Sequence, residues 1–221
     1  MQRKRSWRNT SLAARRARVT ARSPRGGTQL ATQTLALMDS LGLTPTDGAV
    51  ALYEAYASEP ETRDLETALT DLGWSVLLPD LEFPMDSPRP FVDRSDGNYV
   101  CSVASEGPPA VALVILPGLA FGTDGRRLGR GAGWYDRALA LLHRDQDSQP
   151  VLVGFCFDTE VHGPGSVPTE KHDMPVDYVV TPTRTVRSPN AHHGTSPQPL
   201  TKRQPPARPI SNIEACTFER K

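Results

Sequence analysis

Cysteine and long apolar stretches are scarce in this chain of 221 residues, and both shortages narrow the possible classes of protein. The three cysteines, Cys101, Cys156 and Cys216, are odd in number and lack metal-like spacing. This argues against a disulfide framework or a structural zinc site and favours a reducing compartment, so we expect a cytoplasmic protein. The longest apolar run falls far short of the roughly 20 residues that a membrane span needs, so we expect no membrane association.

Net charge is also lacking, because 25 basic and 25 acidic residues cancel, but the charges are unevenly distributed. Residues 1–25 contain nine basic residues and no acidic one, whereas residues 26–185 contain ten basic and 23 acidic residues. Such asymmetry indicates a functional basic arm. Transit peptides share this composition, which leaves that alternative open. No aromatic-interleaved basic patch accompanies the arm, so we expect no nucleic-acid partner.

Apolar runs and helical periodicity alternate along the chain, with weak pairing signals at Phe91-Val92 and at Tyr99 to Val103. The pattern predicts helices over 3–22, 28–41, 61–72 and 134–142, and strands over 49–53, 76–79, 111–116, 151–157 and 177–181. This alternation predicts an α/β fold with a mostly parallel central sheet flanked by helices on both faces. Residues 185–221 are rich in proline and polar residues, which predicts a disordered tail.

The most informative segment runs from Arg127 to Asp136 and reads RLGRGAGWYD. Its three glycines let the backbone approach a ligand closely, and successive N–H groups in such a turn suit an anion. Arg127 and Arg130 can add multi-donor contacts to phosphate oxygens, and Asp136 is the kind of ligand that Mg²⁺ accepts beside phosphates. The segment fits neither common glycine-rich phosphate motif, but it lies between a buried strand and a helix, where open α/β sheets bind ligands.

Residues 116–137 resemble the signature of the 5-formyltetrahydrofolate cyclo-ligase family, also called methenyltetrahydrofolate synthetases. Two further blocks agree in order and spacing, residues 49–62 with an early strand and its glutamate loop, and residues 168–177 with a late P-x-E-x-H-D-x-P-V-D block. The resemblance covers about residues 3–184 and implies a single cyclo-ligase domain with a fold of the NagB/RpiA/CoA-transferase-like type. Residues 3–22 would then be a basic helix that contributes to the ATP site.

The resemblance implies ATP- and Mg²⁺-dependent cyclisation of 5-formyltetrahydrofolate to 5,10-methenyltetrahydrofolate, with release of ADP and phosphate. In this chemistry the formyl oxygen attacks the γ-phosphate, N10 attacks the activated carbon, and phosphate leaves. The enzyme's task is alignment, charge stabilisation and exclusion of water rather than covalent catalysis. The alternative is a non-catalytic relative that binds folate or nucleotide. We expect a monomer.

The resemblance also assigns roles to individual residues. It implies that Arg130 is catalytic, stabilising charge on the transferring phosphoryl group, and that Asp136 and Asp173 bind Mg²⁺. Folate would be bound by Glu59, Arg130, Gly131 and Trp134, with Trp134 stacked on the pteridine. The implied ATP-binding residues are Lys4, Arg5, Arg8, Arg127, Leu128, Gly129, Arg130, Gly131, Ala132, Gly133, Trp134 and Tyr135.

Each of these residues has a simpler interpretation when the resemblance is set aside. Asp136 suits the first turn of a helix, Asp173 a turn, Trp134 a core position and Glu59 a solvated loop. If Asp136 is instead a metal ligand at the surface, as the resemblance implies, Asp136→Ala should abolish turnover while leaving the fold intact.

The chain departs from the family pattern at three places. Ala132 stands where many relatives have lysine or glycine, Lys171 stands where proline is frequent, and residues 94–110 are shorter than the usual stretch. His172 beside Asp173 suits a structural hydrogen bond better than catalysis. The first and third departures favour the non-catalytic alternative, and the intact Arg130, Asp136 and Asp173 favour the enzyme.

Overall fold

The structure is a computed structural model, and it describes residues 2–20, 26–80, 91–93, 110–145, 149–170, 173–189 and 191. The helices are α1 Gln2–Thr20, α2 Gly27–Ser40, α3 Arg63–Asp71 and α4 Trp134–Asp145. The strands are β1 Ala49–Ala51, β2 Val76–Pro79, β3 Phe91–Asp93, β4 Val111–Pro117, β5 Ala120–Gly122, β6 Arg127–Leu128, β7 Val151–Phe155, β8 Val161–His162, β9 Tyr178–Val180 and β10 Thr185–Arg187. Two short 3-10 turns occur at Pro45–Asp47 and Asp158–Glu160.

Seven strands form the main sheet in the order β10-β9-β7-β4-β1-β2-β3. The pairs β9-β7, β7-β4, β4-β1 and β1-β2 are parallel, and only the edge strands β10 and β3 pair in antiparallel fashion. The prediction of a mostly parallel sheet is therefore confirmed. A second sheet of three short strands, in the order β6-β5-β8, lies beyond the end of β4.

The pleat of β4 shows why both faces of the main sheet are covered. Leu113 and Ile115 pack in one core cluster with residues of α2 and α3, whereas Val114 and Leu116 pack in the other with residues of α4. All four side chains are fully buried. Because alternate residues of a strand face opposite sides, a continuous apolar run demands helices on both faces, as expected.

Helix α1 packs against the small sheet rather than extending into solvent. Trp7 of α1 contacts the cluster of Ala120, Leu128 and Val167, and its ring meets that of His162 edge to face at 4.9 Å. The basic arm is therefore part of the folded domain.

The structure contains short strands that the sequence does not predict. Strands β5, β6 and β8 have only two or three residues, too few to show a periodic pattern, and the sequence does not reveal them. The tail was expected from residue 185, but β10 pairs with β9 there, so the sheet extends to Arg187. The described residues do not include the end of the predicted first helix at 21–22, the weak signal at 99–103, or tail residues 190 and 192–221. Within the described ranges, no helix has the length and apolar character needed to cross a membrane.

Candidate active site

A cavity of about 360 Å³ opens where three adjacent parallel strands end. Its lining includes Pro117 at the end of β4, Pro79 at the end of β2, and Tyr53 just after β1. The chain proceeds from β1 to β2 on one side and later returns to place β4 on the other side of β1. The cavity therefore lies at the reversal of strand order, which is where open α/β sheets bind ligands.

The cavity brings together almost every residue that the sequence nominates. Lys4, Arg8, Glu59, all of residues 127–136, and Asp173 line it, although they come from four separate parts of the chain. Arg5 does not line the cavity, and its side chain is exposed on α1. Lys171 and His172 are outside the described residues.

The basic face of α1 reaches the cavity through two side chains. The Lys4 ammonium lies 2.5 Å from Oδ2 of Asp173 and 3.1 Å from a carboxylate oxygen of Glu170. Arg8 Nε donates to the carbonyl of Gly129 at 3.0 Å. Helix α1 is thus bound to the glycine turn and to the late carboxylate block.

A buried pair fixes α1 along its axis. Arg15 is 1% exposed, and its guanidinium donates to both carboxylate oxygens of Glu160 at 2.6 and 2.8 Å and to the Gly118 carbonyl at 2.5 Å. Burial lowers the pKa of Arg15, but the hydrogen bond and charge of Glu160 outweigh it and raise that pKa. The pair is missed from sequence because a basic residue on an amphipathic helix normally faces solvent.

The glycine turn has a backbone that other residues rarely adopt. Gly131 has φ 110° and Gly133 has φ 66°, both in the left-handed region. A Cβ on Gly131 would also come within 3.2 Å of the Arg8 guanidinium carbon. The glycines therefore permit the turn and make room for Arg8.

The two predicted arginines of the turn have different surroundings. Arg127 has a side chain that is 4% exposed, and its Nη2 donates to Oδ1 of Asp136 at 2.6 Å. Arg130 has a side chain that is 41% exposed, and its Nε donates to Oε1 of Glu59 at 2.9 Å. Arg130 is therefore the more accessible of the two to a ligand in the cavity.

The two carboxylates that the resemblance assigns to Mg²⁺, Asp136 and Asp173, both line the cavity. Asp136 lies in the first turn of α4 and also accepts from the Met174 N–H at 3.3 Å, while Asp173 accepts from the Glu170 N–H at 2.5 Å. Across the part of the chain that the structure describes, no three His, Cys, Asp or Glu side chains form a metal-binding group. Mg²⁺ normally takes one or two carboxylates from the protein and the rest from phosphates and water, so Asp136 and Asp173 are chemically suited to hold it.

Aromatic side chains form another side of the cavity. Trp134 meets Phe91 and Tyr135 edge to face, with ring centres 5.5 and 4.8 Å apart. Burial and then the charge of Glu59 raise the pKa of the Tyr135 phenol, so it stays a protonated donor at neutral pH. The sequence did not nominate Tyr53, Glu54, Tyr56 or Glu170, which also line the cavity. The strand-end rule, applied to β1, finds the first three.

Outside the cavity, Cys156 is the one described cysteine and is fully buried. Burial and then the charge of Glu160 raise the pKa of its thiol, which keeps it unreactive.

Fold and cavity together define an open α/β protein with a cavity at its strand-order reversal, lined by a glycine turn, basic side chains, carboxylates and aromatic rings. The chain belongs to the 5-formyltetrahydrofolate cyclo-ligase family, whose sequence model matches residues 1–182.

Individual relatives agree with this assignment. The chain is 31% identical over 159 residues to the 5-formyltetrahydrofolate cyclo-ligase of Mycolicibacterium smegmatis, covering 65% of this chain and 78% of that one. It is 40% identical over 83 residues to the mitochondrial cyclo-ligase of Arabidopsis thaliana, covering 34% and 29% respectively. The match to the mouse cyclo-ligase is also 40% identical, over 68 residues, covering 31% and 32%. The aligned parts thus span about a third of these last two relatives.

Two solved structures share the fold. A 5,10-methenyltetrahydrofolate synthetase from Aquifex aeolicus superposes with a TM-score of 0.59 at 23% identity, over 91% of this chain and 99% of that one. The Mycoplasma pneumoniae 5,10-methenyltetrahydrofolate synthetase superposes with a TM-score of 0.57 at 19% identity, over 80% and 97%.

Proposed function

We propose that this protein catalyses the ATP- and Mg²⁺-dependent cyclisation of 5-formyltetrahydrofolate to 5,10-methenyltetrahydrofolate, releasing ADP and phosphate. The observation that supports this most is the meeting of Lys4, Arg8 and Arg130 with two carboxylates around one glycine turn, in a member of the cyclo-ligase family. Such a set of cations and oxygen ligands matches what phosphoryl transfer requires.

The triphosphate would occupy the side of the cavity where α1 meets residues 129–133. The Lys4 ammonium has three donors, so it can contact a phosphate while keeping a carboxylate partner. Arg8 already lies against the turn. Arg127 has a different role in this proposal, because its side chain is buried and paired with Asp136. It orients that carboxylate, and only its backbone belongs to the phosphate site.

Mg²⁺ would be held by Asp136 and Asp173 together with the phosphates, and it would neutralise charge there. Asp136 is suited to this because Arg127 fixes one of its oxygens.

Arg130 is the proposed catalytic residue. Its ion pair with buried Glu59 holds the guanidinium at the boundary between the basic and aromatic sides of the cavity. There it would stabilise charge as the formyl oxygen of the folate attacks the γ-phosphate. The formyl carbon, now bearing a phosphate leaving group, is then attacked by N10 and phosphate departs. The protein aligns the two substrates and excludes water.

The folate would lie on the aromatic side. Glu59 is 6% exposed and offers carboxylate oxygens to the N–H groups of the pterin, and Trp134 offers a flat surface.

We further propose a monomer acting in the cytoplasm. The few cysteines, which lack metal-like spacing, support a reducing compartment. Gel filtration with light scattering and cell fractionation test these two points.

The decisive assay mixes the purified chain with Mg-ATP and 5-formyltetrahydrofolate and follows the absorbance of the methenyl product. We expect turnover that depends on both ATP and Mg²⁺. Arg130→Lys should lower kcat by about 100-fold. Lysine lacks the planar guanidinium whose several N–H donors would stabilise the charge that develops on the transferring phosphoryl group. Arg63→Ala, which removes an exposed arginine at the start of α3, is the matched control and should retain full activity.

Binding of both ligands without turnover would favour the non-catalytic alternative instead. Ala132 supports this alternative. It lines the cavity at a position where many relatives have lysine or glycine, and it lacks the donor that a lysine would offer to phosphate.

A further inference from the structure

One exposed aromatic side chain at the mouth of the cavity has no role in the mechanism above. Tyr56 is 72% exposed and lines the cavity. Among the described residues, the other exposed large apolar side chains are Val19 and Leu72, and neither lines this cavity. Isolated exposed apolar residues are ordinary, so the position of Tyr56, rather than its exposure, indicates a function.

The loop that presents Tyr56 is closed by its own hydrogen bonds. The Tyr56 N–H donates to Oε2 of Glu59 at 3.0 Å, and the Glu59 N–H donates back to the Tyr56 carbonyl at 3.0 Å. At the base of the loop, the Tyr53 hydroxyl donates to the Pro60 carbonyl at 2.8 Å and the Thr62 hydroxyl to the Tyr53 carbonyl at 2.9 Å. The backbone at Tyr56 is thus held in place before any ligand arrives, which lowers the entropic cost of binding to its ring.

The backbone of this loop also adopts a conformation that needs support. Ala57 has φ 50°, and it is the one positive-φ residue other than glycine among the described residues. A side chain in this region costs energy and persists only where surrounding contacts hold it. Here the strained residue directly follows Tyr56, so the same contacts hold the backbone that carries the ring.

The neighbours of Tyr56 define the chemistry of a ligand for this surface. The guanidinium carbon of Arg130 is 6.0 Å from the centre of the Tyr56 ring, and Arg130 is paired with the buried Glu59 carboxylate. A flat ring, a guanidinium and a buried acceptor therefore adjoin one another. They suit a ligand with a conjugated ring, N–H donors at one end and carbonyl or carboxylate oxygens near the arginine.

We propose that Tyr56 is a substrate-binding residue whose ring stacks on a flat ring of the reduced folate and so sets affinity for folate rather than for ATP. This inference depends on the proposed function, because the ligand is its substrate. Lys4 and Arg8 define the phosphate side by their contacts with residues 129 and 173, whereas Tyr56 shares its side of the cavity with Glu59.

The test is the dissociation constant of 5-formyltetrahydrofolate, measured by calorimetric titration of the full chain. Tyr56→Ala should weaken folate binding about tenfold, which is the size of one aromatic contact, and Tyr56→Phe should restore it. The dissociation constant of Mg-ATP should change less than about twofold. Leu72→Ala, which removes another exposed apolar side chain that lies outside the cavity, should change neither constant. Because Tyr56 is exposed, these variants should fold like the parent chain.

Each other outcome has a definite meaning. Unchanged folate binding by Tyr56→Ala, in a parent chain that binds folate and turns over, would overturn the role of Tyr56 alone. Weakened ATP binding with unchanged folate binding would also overturn it, and would mean that the ring stacks on adenine. A parent chain that binds no 5-formyltetrahydrofolate would overturn the proposed function and this inference together.

Discussion

At the residue scale, the pairing of Asp136 with Arg127 changes what a substitution at 136 would report. Asp136 lines the cavity and neutralises a guanidinium that is 4% exposed. Removing one partner of such a pair leaves an uncompensated charge, and the usual cost is about 3–5 kcal/mol. The expectation from sequence, that Asp136→Ala removes turnover and leaves the fold undisturbed, is therefore replaced by a different one.

We predict that Asp136→Ala loses both activity and about 3 kcal/mol of stability, because Arg127 is left without its charge partner. Asp136→Asn keeps an oxygen for the Arg127 hydrogen bond but loses the charge that Mg²⁺ needs. It should therefore be more stable than the alanine variant and equally inactive. Urea unfolding and the methenyl assay on both variants check this, and an active Asp136→Asn would mean that Asp136 is not a metal ligand.

A second residue-scale prediction concerns Gly131. Alanine at this position must adopt φ 110° and place its Cβ 3.2 Å from the Arg8 guanidinium carbon. Gly131→Ala should therefore weaken Mg-ATP binding about tenfold or more, with a stability loss of about 1–3 kcal/mol. Gly42→Ala is the control, since Gly42 has φ 68° and nothing lies within 4 Å of its Cβ position. It should lose stability but keep its affinity for ATP, and equal loss of affinity in both variants would contradict a specific role for the turn.

Sequence identifies single residues here better than it identifies their partners. Residues 127–136 form a contiguous block whose composition indicates phosphate chemistry, and all of them line the cavity. The pairing of Arg130 with Glu59 joins residues 71 positions apart, and that of Arg15 with Glu160 joins residues 145 positions apart. Nothing in local periodicity encodes such contacts, because they depend on how the elements pack.

At the element scale, the contribution of α1 to the site depends on the buried pair of Arg15 and Glu160, which anchors the helix. Lys4 and Arg8 reach the cavity only if the helix keeps its position along its axis, and the Arg15–Glu160 pair together with the Gly118 carbonyl fixes that position. The basic arm that is obvious in the sequence thus contains one residue used for anchoring and two used at the cavity.

We predict that Arg15→Met destabilises the protein by about 3–5 kcal/mol and weakens Mg-ATP binding, because the Glu160 carboxylate is left buried and α1 loses its anchor. Adding Glu160→Gln should recover part of the stability by removing the uncompensated charge. Arg16→Met, one residue along on the exposed side of α1, should change stability by less than about 0.5 kcal/mol. Denaturant unfolding measures the stabilities, and similar values for Arg15→Met and Arg16→Met would refute the anchor.

The turn between β9 and β10 provides a pH-dependent prediction. Partial burial of Asp158 favours a raised pKa, but hydrogen bonds from the hydroxyls of Thr183 and Thr181 and the charge of Arg184 outweigh it and lower the pKa below 3.8. Folded protein then binds this proton less readily than unfolded protein, so the stabilisation is present above pH 3.8 and is lost as the pH falls further.

Asp158→Asn should therefore be less stable than the parent at pH 6, and the difference should shrink as the pH falls below about 4. Thermal unfolding at several pH values measures it. A difference that stays constant with pH would mean that the charge of Asp158 does not stabilise this turn.

For the whole molecule, the alternation of strands and helices was sufficient to predict a mostly parallel sheet covered on both faces. It did not predict the strand order, which is set by how the chain returns from β3 to place β4 beside β1. At this reversal of strand order, the loop after β1 and the loop after β4 lead away in opposite directions. They leave a crevice between them, so both loops can contact the same ligand. The packing of α1 against the small sheet could not be predicted from the sequence either, because β5, β6 and β8 are too short to be recognised there.

The arrangement of two substrates in this cavity can be observed in a crystal of the protein with Mg²⁺, a non-hydrolysable ATP analogue and 5-formyltetrahydrofolate. We predict that the triphosphate lies against Lys4, Arg8 and residues 129–133, with the folate on the side of Glu59 and Trp134 and the formyl oxygen facing the γ-phosphate beside Arg130. A triphosphate bound elsewhere, or a folate whose formyl group points away from it, would contradict this account.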